Sequence, residues 1–110
     1  MQLSSKERAF LKKLAHNLDP MVRIGKDGID ENVLKSISDV INKRELIKVK
    51  ILQNSTVEVE RELGTEIANK TQSVFVDSIG KILILFKPSK AKGAKITPEF
   101  NEFKKKKRGK

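Results

Sequence analysis

Helical and strand-like apolar spacings alternate along this chain, and that alternation limits the fold more than any other feature of the sequence. Ser4-x-x-Glu7 has the pattern of a capping box, in which two side chains satisfy each other's free backbone N–H groups. Phe10, Leu11, Leu14, Ala15 and Leu18 then share one helical face. Asp19-Pro20 ends that helix, because the residue before proline avoids the α region. Residues 21–24 read as a short strand, followed by Gly25-Lys26-Asp27-Gly28. Asp30 is a good N-cap for a second helix, with Ile29 and Leu34 at hydrophobic-staple spacing. Val33, Leu34, Ile37, Val40 and Ile41 complete its apolar stripe, and residues 42–45 form a polar break.

Residues 46–52 alternate as a strand does, with Ile47, Val49 and Ile51 on one face and Lys48 and Lys50 on the other. A third helix is expected from Thr56 to about Lys70, with Val59, Leu63, Ile67 and Ala68 inward. Val57 and Gly64 speak against it, since an interior glycine costs about 1 kcal/mol relative to alanine. Residues 74–79 and 82–86 are β-rich, and Gly80-Lys81 between them suits a type II′ hairpin turn. The order is helix–strand–helix–strand–helix–strand–strand. It predicts an α/β fold: a compact two-layer α-β-α-β-α-β-β domain with a four-stranded mixed sheet.

The charge is unevenly spread. The whole chain carries +10, yet residues 87–110 hold 10 Lys/Arg and 2 Glu, while residues 1–86 hold 14 Lys/Arg and 12 Asp/Glu. This divides the chain into a domain at residues 1–88 and a basic, flexible tail at residues 89–110. Lys104, Lys105, Lys106, Lys107 and Arg108 form the densest part of that tail, and like-charge runs usually stay disordered and serve as interaction arms. A solubilising tail or a localisation signal would have the same composition. With no cysteine and a single histidine, His16, thiolate or multi-histidine metal sites and a cysteine nucleophile are excluded. No apolar run approaches the ~18–20 residues of a membrane span, and residues 1–5 lack the character of a signal peptide. A cytoplasmic, monomeric protein without cofactors or metal is expected.

The glycine loop is the best candidate for a ligand site. Glycine lets backbone approach a ligand closely, and a helix N-terminus behind such a turn favours anions. Lys26 adds a mobile cation at the tip. A phosphate backbone is the natural ligand, although any β–α connection can use G-x-x-G simply to turn. Because Asp30 occupies part of the helix end, contacts through Lys26 and the loop backbone are expected in preference to a deep anion nest. Lys6, Arg8, Lys12 and Lys13 give the first helix a basic face, and Arg23, Lys48 and Lys50 could widen that surface; all of these also fit ordinary solvated positions. Glu58, Glu60, Glu62 and Glu66 make the third helix acidic, which places it away from a nucleic-acid surface.

Several spaced segments are similar to the CRM domain family (chloroplast RNA splicing and ribosome maturation). They are Leu3-Ser4-Ser5-Lys6-Glu7-Arg8, Leu14-Ala15-His16-Asn17-Leu18, Val22-Arg23-Ile24-Gly25-Lys26-Asp27-Gly28 and Glu45-Leu46-Ile47-Lys48-Val49-Lys50. Ile79-Gly80-Lys81 and Phe86-Lys87-Pro88 complete the set. The resemblance is to the small, single-domain bacterial YhbY-type members and spans about residues 3–88. It implies a mixed-sheet fold similar to the C-terminal domain of the third bacterial translation initiation factor. It also implies RNA binding, with Gly25, Lys26, Asp27 and Gly28 in the RNA surface, and ribosomal RNA of the large-subunit precursor as partner. The K-homology domain also clamps nucleotides with a G-x-x-G loop, but there two helices flank it, and here a strand precedes it. Without tyrosine or tryptophan, readout should lean on phosphates and RNA shape. A module that docks on ribosomal proteins is the alternative. A small RNA-modifying enzyme finds no catalytic constellation to support it.

Overall fold

The computed structural model describes residues 2–53, 55, 61–89 and 93–108. Along the chain the elements are α1 (Ser5–Ala15), β1 (Val22–Ile24), α2 (Glu31–Arg44), β2 (Leu46–Ile51), α3 (Arg61–Thr71), β3 (Val74–Ile79), β4 (Ile82–Phe86) and α4 (Ile96–Arg108). The capping box forms as its sequence dictates. Ser4 N–H donates to Glu7 Oε1 at 2.8 Å, and Glu7 N–H donates to Ser4 Oγ at 3.1 Å. Asp30 caps α2, accepting the Val33 N–H at 2.8 Å. The expected start of α3 at Thr56, with Val57, Glu58, Val59 and Glu60, lies outside the described residues.

The sheet is mixed and runs β1-β2-β4-β3. β1 and β2 are parallel, and β4 is antiparallel to both its neighbours. The hairpin therefore does not add β4 at the edge. It inserts β4 between β2 and β3, leaving β1 and β3 as the edge strands. Ile79 pairs with Ile82 across a two-residue turn. Gly80 has φ 58° while Lys81 is not among the positive-φ residues, which is the φ pattern of a type II′ turn.

The α/β class and the four-stranded mixed sheet agree with the reading from sequence; the number of layers does not. Alternate residues of the strands point to opposite faces, and here both faces are covered. Val22, Ile24, Ile47, Val49, Ile51, Leu83 and Leu85 pack with Ile37 and Ile41 of α2 and Ile67 and Ala68 of α3. On the other face Leu46, Val76, Ile84 and Phe86 pack with Leu11 and Ala15 of α1 and with Phe100 of α4. The result is three layers, α2/α3, sheet and α1/α4.

Gly64, which lowered the helical expectation for α3, is placed by tertiary packing. A Cβ at this position would lie 2.3 Å from Cε1 of Phe75, so the missing side chain makes room for that ring against the helix. α3 then closes through Gln72 at φ 56°, with Ser73 N–H donating back to the Ala68 carbonyl at 2.8 Å, the wrapped hydrogen bond of a Schellman ending.

The basic C-terminal segment differs most from expectation. Instead of a flexible tail, α4 forms with Ile96, Phe100 and Phe103 at helical spacing. Phe100 is buried with its ring 5.0 Å from that of Phe86, and Phe103 stacks on Phe10 with ring centroids 4.4 Å apart. Burying one such phenylalanine contributes ~2 kcal/mol, enough to outweigh mild self-repulsion within the basic run. Pro98 sits in the first turn, where a helix has no use for the missing N–H.

Glu45 fastens this helix. The polar break read at residues 42–45 is in fact the last helical turn of α2, running to Arg44 and ended by Glu45 at φ 69°, ψ −44°. The Glu45 side chain is buried, and its carboxylate accepts from the N–H groups of Lys95, Ile96 and Thr97 at 2.9, 3.3 and 2.7 Å, and from the Thr97 hydroxyl. It thus caps the N-terminus of α4 from 50 residues away in sequence. Burial pushes the carboxyl pKa up, but the Thr97 hydroxyl and the three N–H donors together hold it below the ordinary glutamate value. A negative charge at a helix N-terminus is also favoured by the helix dipole.

Candidate nucleic-acid interface

β1 is short, and its burial pattern sets the site. Val22 and Ile24 are buried under α2, while Arg23 between them is exposed on the face that carries α1. The chain then turns at once. Gly28 N–H donates to the Gly25 carbonyl at 3.0 Å, closing a β-turn with Lys26 and Asp27 at its exposed tip. Gly28 is buried at φ 70°, a conformation that strains residues with a Cβ, and this is the glycine the turn requires. Asp30 holds the Val33 N–H, so the α2 end is partly occupied and the loop offers an exposed lysine and backbone, not a deep nest.

Several connections meet at the same end of the sheet. Leu52 N–H donates to the Ile24 carbonyl at 2.9 Å, and Ile51 N–H donates to the Lys81 carbonyl at 2.8 Å. The glycine loop, the end of β2 and the Gly80-Lys81 turn are therefore neighbours. Lys50 pairs with Arg23 across β1 and β2, and both side chains are exposed on the α1 face. Lys81 is also exposed, at the hairpin turn. It had no place among the sequence candidates because a hairpin lysine has no motif of its own; only the registered pairing of β2 with β4 brings it here. α3, with Glu62 and Glu66 exposed, lies across the sheet on the opposite face, where repulsion of a polyanion does least harm.

The remaining candidates divide into exposed and engaged groups. Lys6 and Lys13 are exposed on α1. Lys12 is half-buried and pairs with Asp77 at 2.9 Å. Burial raises the Asp77 carboxyl pKa, but its hydrogen bond from Lys12, the Ser78 N–H and the nearby positive charges of Lys12 and Arg8 bring it below its usual value. Arg8 is half-buried. Lys48 points to the α1 face but is not open to a ligand: its ammonium donates to the carbonyls of His16 and Leu18 at 3.2 and 3.0 Å, where α1 ends. Cations at a helix C-terminus are favoured in this way. Lys48 therefore serves the seating of α1 on the sheet.

The C-terminal lysines stand apart from the loop. α4 begins beside Glu45 and Phe86, at the end of β2 and β4 remote from Gly25. Lys104 lies over the Phe100 ring, 5.4 Å from its centroid, and Lys105 is exposed. The side chains of Lys106, Lys107 and Arg108 lie outside the described residues, as do Lys90 and Lys92.

A sequence profile of the CRS1/YhbY (CRM) domain matches residues 3–87. The chain is 36% identical over 88 residues to Probable RNA-binding protein YqeI of Bacillus subtilis, across 80% of this chain and 91% of that protein. It is 41% identical over 87 residues to a Haemophilus influenzae protein named RNA-binding protein, across 79% of this chain and 87% of the other. The solution structure of the hypothetical protein SAV1595 from Staphylococcus aureus superposes with a TM-score of 0.70 at 41% identity, covering 83% of this chain and 94% of that one. The matched profile stops before α4 begins, so the helix that Glu45 caps lies beyond it. Among the described residues no helix is long and apolar enough to cross a membrane.

Proposed function

The chain belongs to the CRS1/YhbY (CRM) domain family, and from that premise we propose that it is a non-catalytic RNA-binding protein that acts in ribosome assembly. Its ligand is ribosomal RNA of the large-subunit precursor, the partner implied by the resemblance to the single-domain bacterial members. One observation carries the binding surface: Lys26 stands exposed at the tip of the glycine turn, with Arg23 and Lys50 exposed beside it at the same end of the sheet. Three cations on a rigid frame suit the ribose-phosphate backbone, which supplies most of the affinity in such complexes. The names of the relatives, Probable RNA-binding protein YqeI and RNA-binding protein, support the class of ligand.

The experiment is a salt titration of binding to large-subunit ribosomal RNA. If ~5 phosphates are neutralised, log K falls with log salt at a slope of roughly 3.5, from the ~0.7 contributed per single-strand contact. Lys26→Glu should weaken binding at least ten-fold at low salt while the thermal melt stays unchanged, since the side chain is exposed. Salt-insensitive binding, or full affinity in Lys26→Glu, would exclude the loop from the interface.

A further inference from the structure

The β-sheet register places four residues in one row across all four strands. Arg23 pairs with Lys50, Lys50 with Ile82, and Ile82 with Ile79. Cross-strand partners share a face, and this row lies on the α1 face, because Val22 and Ile24 beside Arg23, Val49 and Ile51 beside Lys50, and Leu83 beside Ile82 are buried in the α2/α3 core. On β2, α1 stops short of it, and at β3 the helix runs beside Ile79 without covering it. The helix ends above Lys48, one pleat earlier on β2, where the carbonyls of His16 and Leu18, at and just past its C-cap, take the Lys48 ammonium. Ile79 is 55% exposed, the one large apolar side chain so exposed among the described residues, and Ile82 is half-buried next to it. A shallow groove runs from Ile79 along the outer side of α1, past Lys12, Lys13 and His16.

We propose that this open row is a binding strip for single-stranded RNA. Ile79 and Ile82 carry the apolar faces of unstacked bases, and Arg23 and Lys50 take the neighbouring phosphates. The proposal deepens the function set out above and rests on it. It names the form of RNA that this end of the sheet accepts.

Two features select that ligand. The row holds two cations and no carboxylate, and Lys26, Lys81 and Lys13 lie around it, so a polyanion is the complementary partner. A polyanion duplex would leave the isoleucines facing phosphates and ribose hydroxyls, because in an A-form helix the base faces are stacked away. Only a strand with splayed bases offers apolar surface and phosphates side by side. Strands lie ~4.8 Å apart, so the row spans about 14 Å, room for a short run of nucleotides. The chain has no tyrosine or tryptophan to stack bases, and an aliphatic pair supplies the apolar surface instead.

The test is fluorescence anisotropy with a labelled uridine oligomer of about 12 nucleotides and an RNA duplex of the same length, at several salt concentrations. Ile79→Ala should weaken binding to the single strand about five-fold, the lower end of what loss of one base platform costs. It should leave duplex binding and the salt slope unchanged, because no phosphate contact is removed. Lys50→Ala should reduce the single-strand slope by about 0.7. Equal losses on both RNAs, or unchanged single-strand affinity in Ile79→Ala, overturn the strip while leaving RNA binding in place. Absence of binding to any RNA by the unaltered protein overturns the strip and the proposed function together. Sedimentation of the same samples adds one more outcome: if Ile79→Ala disrupts self-association and spares RNA binding, the row is a contact between copies, and the proposal is wrong.

Discussion

Replacing Glu45 by alanine should release α4 from the domain. In the native protein its carboxylate holds three N–H groups of the first turn and the Thr97 hydroxyl. Hydrogen bonds to a charged group are worth ~1.5–3 kcal/mol each, but the whole sum is not lost. α4 lies at the surface, so its first turn can fray and return the freed N–H groups to water. The loss is then that of a strong N-cap, ~1–2 kcal/mol, plus ~1–2 kcal/mol for groups at Thr97 that stay buried. The expected destabilisation is ~2–4 kcal/mol, or roughly 8–16 °C in Tm at about 4 °C per kcal/mol.

Glu45 also sits at φ 69°, ψ −44°, near the strained γ-turn region, which costs a residue with a side chain ~1 kcal/mol or more. Glu45→Gly should therefore be less destabilised than Glu45→Ala by ~1 kcal/mol. The assay is thermal circular dichroism, joined to amide exchange at Lys95, Ile96 and Thr97, which should lose protection in both variants. A change below ~0.5 kcal/mol in Glu45→Ala, with exchange at those amides unaltered, would refute the idea that this carboxylate seats the helix.

Three further outcomes follow from the same structure. The lowered pKa of Glu45 means that its contribution is in full force at neutral pH, above the ordinary glutamate value, and disappears as pH falls through the lowered one. Glu45→Gln should thus flatten the acid limb of a stability–pH curve, leaving the slope that Asp77 contributes in the same sense; an unchanged acid limb would contradict this. Gly64→Ala, helix-favouring by about 1 kcal/mol, should nevertheless destabilise by ~1–3 kcal/mol in urea unfolding, since the new Cβ meets the Phe75 ring. The Lys12–Asp77 pair is about one-third exposed on each side, so a double-mutant cycle should return a coupling below ~1 kcal/mol despite the 2.9 Å separation.

Local features were legible because local physics fixes them. Ser4 with Glu7 and Asp30 with Val33 form their caps within three residues of chain, whatever the rest does. The turn at Gly25 and the hairpin at Gly80 depend on φ values that glycine takes without strain. The same holds for the exposure of Lys26 at a loop tip.

The structure departs from the sequence reading wherever a residue's role depends on a partner far away in sequence. Alternation in β2 correctly separates Ile47, Val49 and Ile51 from Lys48 and Lys50, yet it cannot tell that Lys48 ends beneath α1 while Lys50 stays open. A charged run at residues 104–108 outweighed the quieter spacing of Ile96, Phe100 and Phe103, whose meaning depends on Phe86 and Phe10 being there to receive them. Glu45 looked like one more polar residue in a break. The sequence by itself located α1, α2, α3 and the four strands, and where the chain turns between them, because those choices are made by neighbours; α4 was not among them. Only the tertiary structure decided that the sheet has two covered faces, that Glu45 holds α4, and that Arg23, Lys50, Ile82 and Ile79 form one row. Strand order and register are global quantities, set by which apolar faces can be buried together, and no local window of the chain contains them.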